Sequence, residues 1–85
     1  KAVSIEPENA AFLDSYGWAF YHLGQHREAL KQLKKAAELD NDPVIYDHLG
    51  DSYKAVGNMS QARQWWRKAL EQDPQNKDIK RKLGN

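Results

Sequence analysis

The chain contains no cysteine, which excludes disulfides, thiolate metal sites and a cysteine nucleophile. It has only three prolines and five glycines, so long stretches are left uninterrupted for helix. No apolar run approaches the roughly 20 residues of a membrane-spanning helix, and no membrane insertion is expected. An excess of one charge is also missing. The 13 Lys and Arg against 12 Asp and Glu leave a formal net charge of +1, where a nucleic-acid-binding domain would show a basic excess on one face. No glycine-rich phosphate loop is present, and Ser4, Ser15, Ser52 and Ser60 lack the context of an activated nucleophile. Asp14, Asp47 and Asp51 are conceivable paired carboxylates, but acid–base work needs an enclosed site that tunes their pKa. Neither catalysis nor a cofactor is expected.

What is present is a repeat. Eighty-five residues make one domain at most, and the 11% aromatic content, three Trp included, is too high for a disordered segment. Sliding the chain by 33 residues sets Leu13 on Tyr46, Asp14 on Asp47, Gly17 on Gly50 and Phe20 on Tyr53. It also sets Gly24 on Gly57, Ala29 on Ala62, Leu33 on Trp66, Ala36 on Ala69 and Asp40 on Asp73. Small residues meet small ones and large apolar residues meet large ones, which is the mark of stacked supersecondary units.

Spacing inside each unit is helical. Leu13, Tyr16, Gly17 and Phe20 share one face, as do Tyr46, Leu49, Gly50 and Tyr53. Ala29, Leu33 and Ala36 make a stripe on a second helix, matched by Ala62, Trp66 and Ala69. Helices are expected at about 9–23, 26–40, 43–56, 59–72 and 76–83. Gly24 and Gly57 stand where a helix C-terminus wants positive φ, and the short connections there force antiparallel neighbours. Asp42 is the expected N-cap of the third helix, with Pro43 in its first position.

The succession Leu13, Tyr16, Gly17, Phe20, Ala29, Leu33, Ala36, and then Tyr46, Leu49, Gly50, Tyr53, Ala62, Trp66, Ala69, Pro74, resembles the tetratricopeptide repeat. The resemblance covers roughly residues 10–76. It implies an all-α, right-handed solenoid of antiparallel helix pairs with a C-terminal capping helix. The expected division is 1–8 as the tail of a preceding repeat, 10–42 and 43–76 as two repeats, and 77–85 as the cap. Asn41 stands where the closing Pro would be, and the first unit is one residue short, which reads as a shortened turn. Lys77, Lys80, Arg81 and Lys82 suit a solvent-facing cap, with Ile79 and Leu83 as its apolar anchors. The runs Asp14–Trp18 and Pro43–Gly50 resemble bacterial examples of the family. The tail-like residues 1–8 and the capping helix, with the start at Lys1 rather than Met, read as the C-terminal portion of a longer protein. Its compartment, cytoplasmic or envelope, is not chosen by the residues.

In that family the first helix of each repeat lines a concave groove that holds a partner peptide. By helical offset the groove residues here are Ala11, Asp14, Ser15, Trp18, Tyr21 and His22, then Val44, Asp47, His48, Asp51, Lys54 and Ala55. Asp14, Trp18, Tyr21, His22, Asp47, His48, Asp51 and Lys54 are the candidate binding residues. The competing reading is an ordinary solvated helix face. The groove is expected to be acidic and aromatic and to take a protein segment with basic and apolar residues, Trp18 and Tyr21 acting as rigid anchors. The family's carboxylate clamp for acidic chaperone tails needs groove cations, and Lys54 is the one found, so such tails are not expected to bind. Three histidines raise a metal reading, but Gly24 separates His22 from His26, and the spacing of His48 and Asp51 offers two ligands where a structural zinc needs four. That second pair also reads as a local hydrogen bond that responds to pH. Trp65 is expected to pack against the next repeat or the cap, the competing reading being a partly exposed ring. Two alternatives stand beside the interaction-scaffold reading: a structural or oligomerising repeat region that self-associates through exposed repeat ends, and a region accessory to a larger enzyme.

Overall fold

A computed structural model describes residues 9–84; the expected tail of a preceding repeat, 1–8, lies outside them. Five helices follow one another: α1 (Ala10–His22), α2 (His26–Leu39), α3 (Pro43–Ala55), α4 (Met59–Gln72) and α5 (Lys77–Lys82). Each lies within two residues of its expected bounds.

Local chemistry sets the boundaries. Asn9, Asp42, Asn58 and Asn76 cap the N-termini of α1, α3, α4 and α5, each side-chain oxygen accepting from a backbone N–H of the first turn. Pro43 occupies the first turn of α3, where its missing N–H costs nothing. Gly24 and Gly57 end α1 and α3 with φ of 83° and 86°. Past them the Gln25 and Asn58 N–H groups donate back to the Phe20 and Tyr53 carbonyls at 2.9 Å, a closure that requires a left-handed residue in between. The turn between α2 and α3 spans residues 40–42, and that between α4 and α5 spans residues 73–76, so the missing residue of the first unit is lost from its turn. Asn41 has a part in it: its Oδ1 accepts from the Tyr46 hydroxyl at 2.8 Å.

The helices pair antiparallel through small residues. A β-carbon on Gly17 would lie 2.6 Å from Leu33 Cγ and 3.2 Å from the Ala29 carbonyl. One on Gly50 would fall inside the Trp66 indole. Ala29, Ala36, Ala62 and Ala69 are fully buried opposite these contacts. Between the two pairs, α3 seats Ile45 and Leu49 against α2, and Ala37 of α2 touches all three groups of core residues. Trp65 is half-buried against Tyr46, ring centroids 5.4 Å apart.

The two first helices have the same pattern and different cover. Leu49 is fully buried, but its counterpart Tyr16 is 53% exposed, a correction to its place in the expected core stripe. The reason is that α2 lies over Leu49 and no described element lies over Tyr16. Phe12, the counterpart of the buried Ile45, is exposed for the same reason.

Adding a methyl group at Gly50 or Gly17 sets overpacking of about 1–3 kcal/mol against a helix-propensity gain of up to about 1 kcal/mol. Gly50→Ala is therefore expected to lower the urea-unfolding free energy, and by more than Gly17→Ala, because a tryptophan ring has less room to give than a leucine. Trp66→Ala empties a packed site and should cost about 3–5 kcal/mol. Equilibrium denaturation of the three variants measures all of this.

Candidate partner groove

The exposed edges of α1 and α3 lie side by side, with α5 beyond α3. Helical period carries Asp14, Trp18, Tyr21 and His22 along α1, and Asp47, His48 and Asp51 along α3. Across the gap His48 Nδ1 and Asp14 Oδ1 are 2.8 Å apart, with side chains only 17% and 20% exposed. The carboxylate can only accept here, so the contact selects the imidazole tautomer that carries hydrogen on Nδ1. This corrects the expected local pairing of His48 with Asp51. Helical neighbours project outward side by side, whereas residues on adjacent helices face each other.

Trp18 is the centre of an aromatic stack. Its ring lies parallel to that of His48 at 3.8 Å between centroids and to that of Tyr21 at 4.6 Å, both at 14°. His22 meets the Trp18 ring edge-on at 5.0 Å. Trp18 and Tyr21 are half-buried and His22 is exposed. The result is a flat aromatic patch between the two first helices, ordered by stacking. His26, at the start of α2, packs edge-on to Tyr21 at 5.0 Å. Among the described residues no three His, Cys, Asp or Glu side chains gather as metal ligands would.

The third group involves a residue that was expected to face solvent. Lys82 of α5 turns into the groove, where its Nζ donates to Asp47 Oδ1 at 2.8 Å and lies 3.0 Å from Asp51 Oδ1. Lys82 is therefore a second groove cation beside Lys54. The signal for it was its place 34 residues after His48, which makes the two bases equivalent rungs, each reaching back to an aspartate on the preceding first helix. Lys54 is exposed and pairs with no acid among the described residues. Ala11, Ser15, Val44 and Ala55 are exposed along the same edges.

Burial pulls the Lys82 pKa down, and the hydrogen bonds and charges of Asp47 and Asp51 more than reverse this, leaving it above the ordinary lysine value. A raised folded-state pKa contributes stability that is complete below the unfolded value and is lost as pH rises through the folded one.

A family model described as Tetratricopeptide repeat matches residues 1–82. Among curated proteins, the chain is 29% identical over 84 residues to Small glutamine-rich tetratricopeptide repeat-containing protein 2 of Mycosarcoma maydis, covering 98% of this chain and 24% of that protein. It is 30% identical over 87 residues to DnaJ homolog subfamily C member 7 of Homo sapiens and of Mus musculus, covering all of this chain and 17% of each. The chain thus spans a quarter or less of these relatives.

Lys82→Met should remove about 0.5–1 kcal/mol of stability at neutral pH, the modest size reflecting solvent screening of a partly exposed pair. The difference between wild type and variant should vanish as pH rises beyond the lysine range. Chemical denaturation of both proteins from pH 8 to pH 11.5 measures it.

Proposed function

The chain belongs to the tetratricopeptide-repeat family of protein-interaction repeats, and from that premise we propose that it holds a segment of a partner protein in the groove between α1 and α3. The observation that carries this reading is the Trp18 stack. Trp18 joins none of the core groups, yet it is held between two rings on a partly open surface: Tyr21, which also packs against the Ala29–Leu33–Leu49 group, and His48. A preorganised aromatic surface gives contact area at low entropic cost. The rest of the candidate set, Asp14, His22, Asp47, His48, Asp51 and Lys54, surrounds that surface.

The partner segment carries basic and apolar residues. Asp47 and Asp51 offer carboxylates to a cation, and Trp18 with Tyr21 offers ring surface to an apolar side chain or to a second cation. An acidic tail fits poorly. Lys54 is isolated, Lys82 is already held by two carboxylates, and Asp14, Asp47 and Asp51 would repel it. Repeats of this family are typically not catalytic, and the groove supplies affinity and position rather than chemistry.

A second reading is favoured by one observation. Phe12, Tyr16 and Leu23 of α1 and its turn are 55%, 53% and 70% exposed, on a helix whose counterpart α3 is covered by α2. End-to-end contact with another repeat or another copy would cover them. Sedimentation velocity across a concentration series separates this from groove binding, since Tyr16→Ser would abolish self-association and leave peptide binding intact.

Trp18→Ala should weaken binding of a fluorescein-labelled acetyl-Leu-Lys-Leu-Lys-Leu-amide peptide about tenfold or more by fluorescence anisotropy. The loss of its stacking on Tyr21 and His48 should cost only about 1 kcal/mol of stability. Unchanged affinity, or micromolar binding of an acidic C-terminal peptide, would sink the groove reading.

A further inference from the structure

The capping helix reaches into the groove as well as covering the end of the core. Ile79 is the one side chain of α5 that is fully buried, set against Tyr46, Trp66 and Ala69. Three residues on, Lys82 crosses to α3 and places its ammonium between Asp47 and Asp51, at 2.8 Å and 3.0 Å. Its Nζ stands 6.0 Å from the centre of the Trp66 ring. Both carboxylates are partly buried, 22% and 18% exposed, and no side chain of α1, α2 or α4 pairs with them. The molecule therefore already contains, as an internal contact, the ammonium–carboxylate pairing that a basic partner would make at this end of the groove.

We infer that α5 is an autoinhibitory latch: the Lys82 ammonium fills the Asp47–Asp51 seat, and a lysine side chain of a partner enters that seat by exchange with it. This rests on the groove reading above and adds the element that regulates it. Exchange is chemically even-handed. One ammonium leaves as another arrives, so the half-buried carboxylates are never left uncompensated. The leaving group is free to go, because Lys82 is 31% exposed and sits in the last turn of a six-residue helix, shorter than a helix that holds itself together in water. The approach is open as well: a cleft of about 260 Å³ lies between α3 and α5, lined by Asp47, Asn76, Asp78, Arg81 and Lys82. The other rung behaves differently. His48 belongs to α3, which is held by Ile45 and Leu49 in the core, so its backbone cannot swing away from Asp14 as a short terminal helix can from Asp47.

A partner's apparent affinity is its intrinsic affinity multiplied by the fraction of time that the seat is free. The test compares the labelled acetyl-Leu-Lys-Leu-Lys-Leu-amide peptide with its norleucine counterpart on wild type, Lys82→Met and Lys82→Arg. Lys82→Met, which keeps the aliphatic stem, should bind the lysine peptide about threefold to sixfold more tightly than wild type, the gain that a contact of about 0.5–1 kcal/mol can withhold. It should show no gain for the norleucine peptide, and Lys82→Arg should show none for either. Equal or weaker binding of the lysine peptide by Lys82→Met overturns the latch and leaves the groove reading standing, whereas no binding by either protein removes both. A second readout uses wild type alone, independent of how the variants fold. In an NMR titration the Lys82 Cε–Hε resonance should move together with the Asp47 and Asp51 amides, and a stationary Lys82 beside moving amides overturns the latch.

Discussion

The distance between paired helices is the constraint on which the rest of this structure depends, and it is set by glycine beneath a large side chain. Leu33 lies over Gly17 and Trp66 lies over Gly50 with no room for a β-carbon. With the backbones that close, the alanines at 29, 36, 62 and 69 reach full burial, and the limited apolar content of the chain suffices to fill the interior. Interiors packed to this density have few rearrangements open to them. The orientation of α1 against α2, and of α3 against α4, is therefore held as a rigid property.

Rigid pairs fix how the first helices face one another. Because α2 packs against α3 through Ile45, Leu49 and Ala37, the outer edges of α1 and α3 come to lie beside each other. Asp14 then meets His48, and Trp18 slides over the same imidazole. The next step along the solenoid repeats the device with a different base, Lys82 meeting Asp47. Each rung joins an acid on one first helix to a base on the next, which neutralises much of the groove's charge internally. A surface that reads as acidic in sequence is thus partly neutralised by its own chain, and the aromatic patch stacks on the histidine of the first rung.

The same packing explains why the two outer faces of the described helices differ. At the C-terminal end α5 offers Ile79 and the half-buried Leu83 to the core and turns polar side chains outward. On α1 the apolar face formed by Phe12 and Tyr16 looks outward. A repeat has two apolar faces, one for its own partner helix and one for the neighbour, and the exposure of a given residue reports which described helices cover it.

Read alone, the sequence determined the helices, their ends and the pairing within each hairpin. These depend on neighbours at three and four residues, on caps a few residues away, and on a 33-residue period that sets Gly17 on Gly50 and Leu33 on Trp66. It also placed Asp14, Trp18, Tyr21, His22, Asp47, His48 and Asp51 on the outer edges of α1 and α3, because helical offset from a buried stripe is a local property. It missed that His48 pairs with Asp14 and not Asp51, that Lys82 leaves the solvent side to bind Asp47 and Asp51, and that Tyr16 is open where Leu49 is closed. Each of these is decided by how one helix pair sits on the next, with partners 31 to 35 residues apart or, for Tyr16, a covering helix that the residue's own pattern cannot report. Side-chain periodicity tells which way a residue points on its own helix. Only the stacking of helices in three dimensions tells what it meets there.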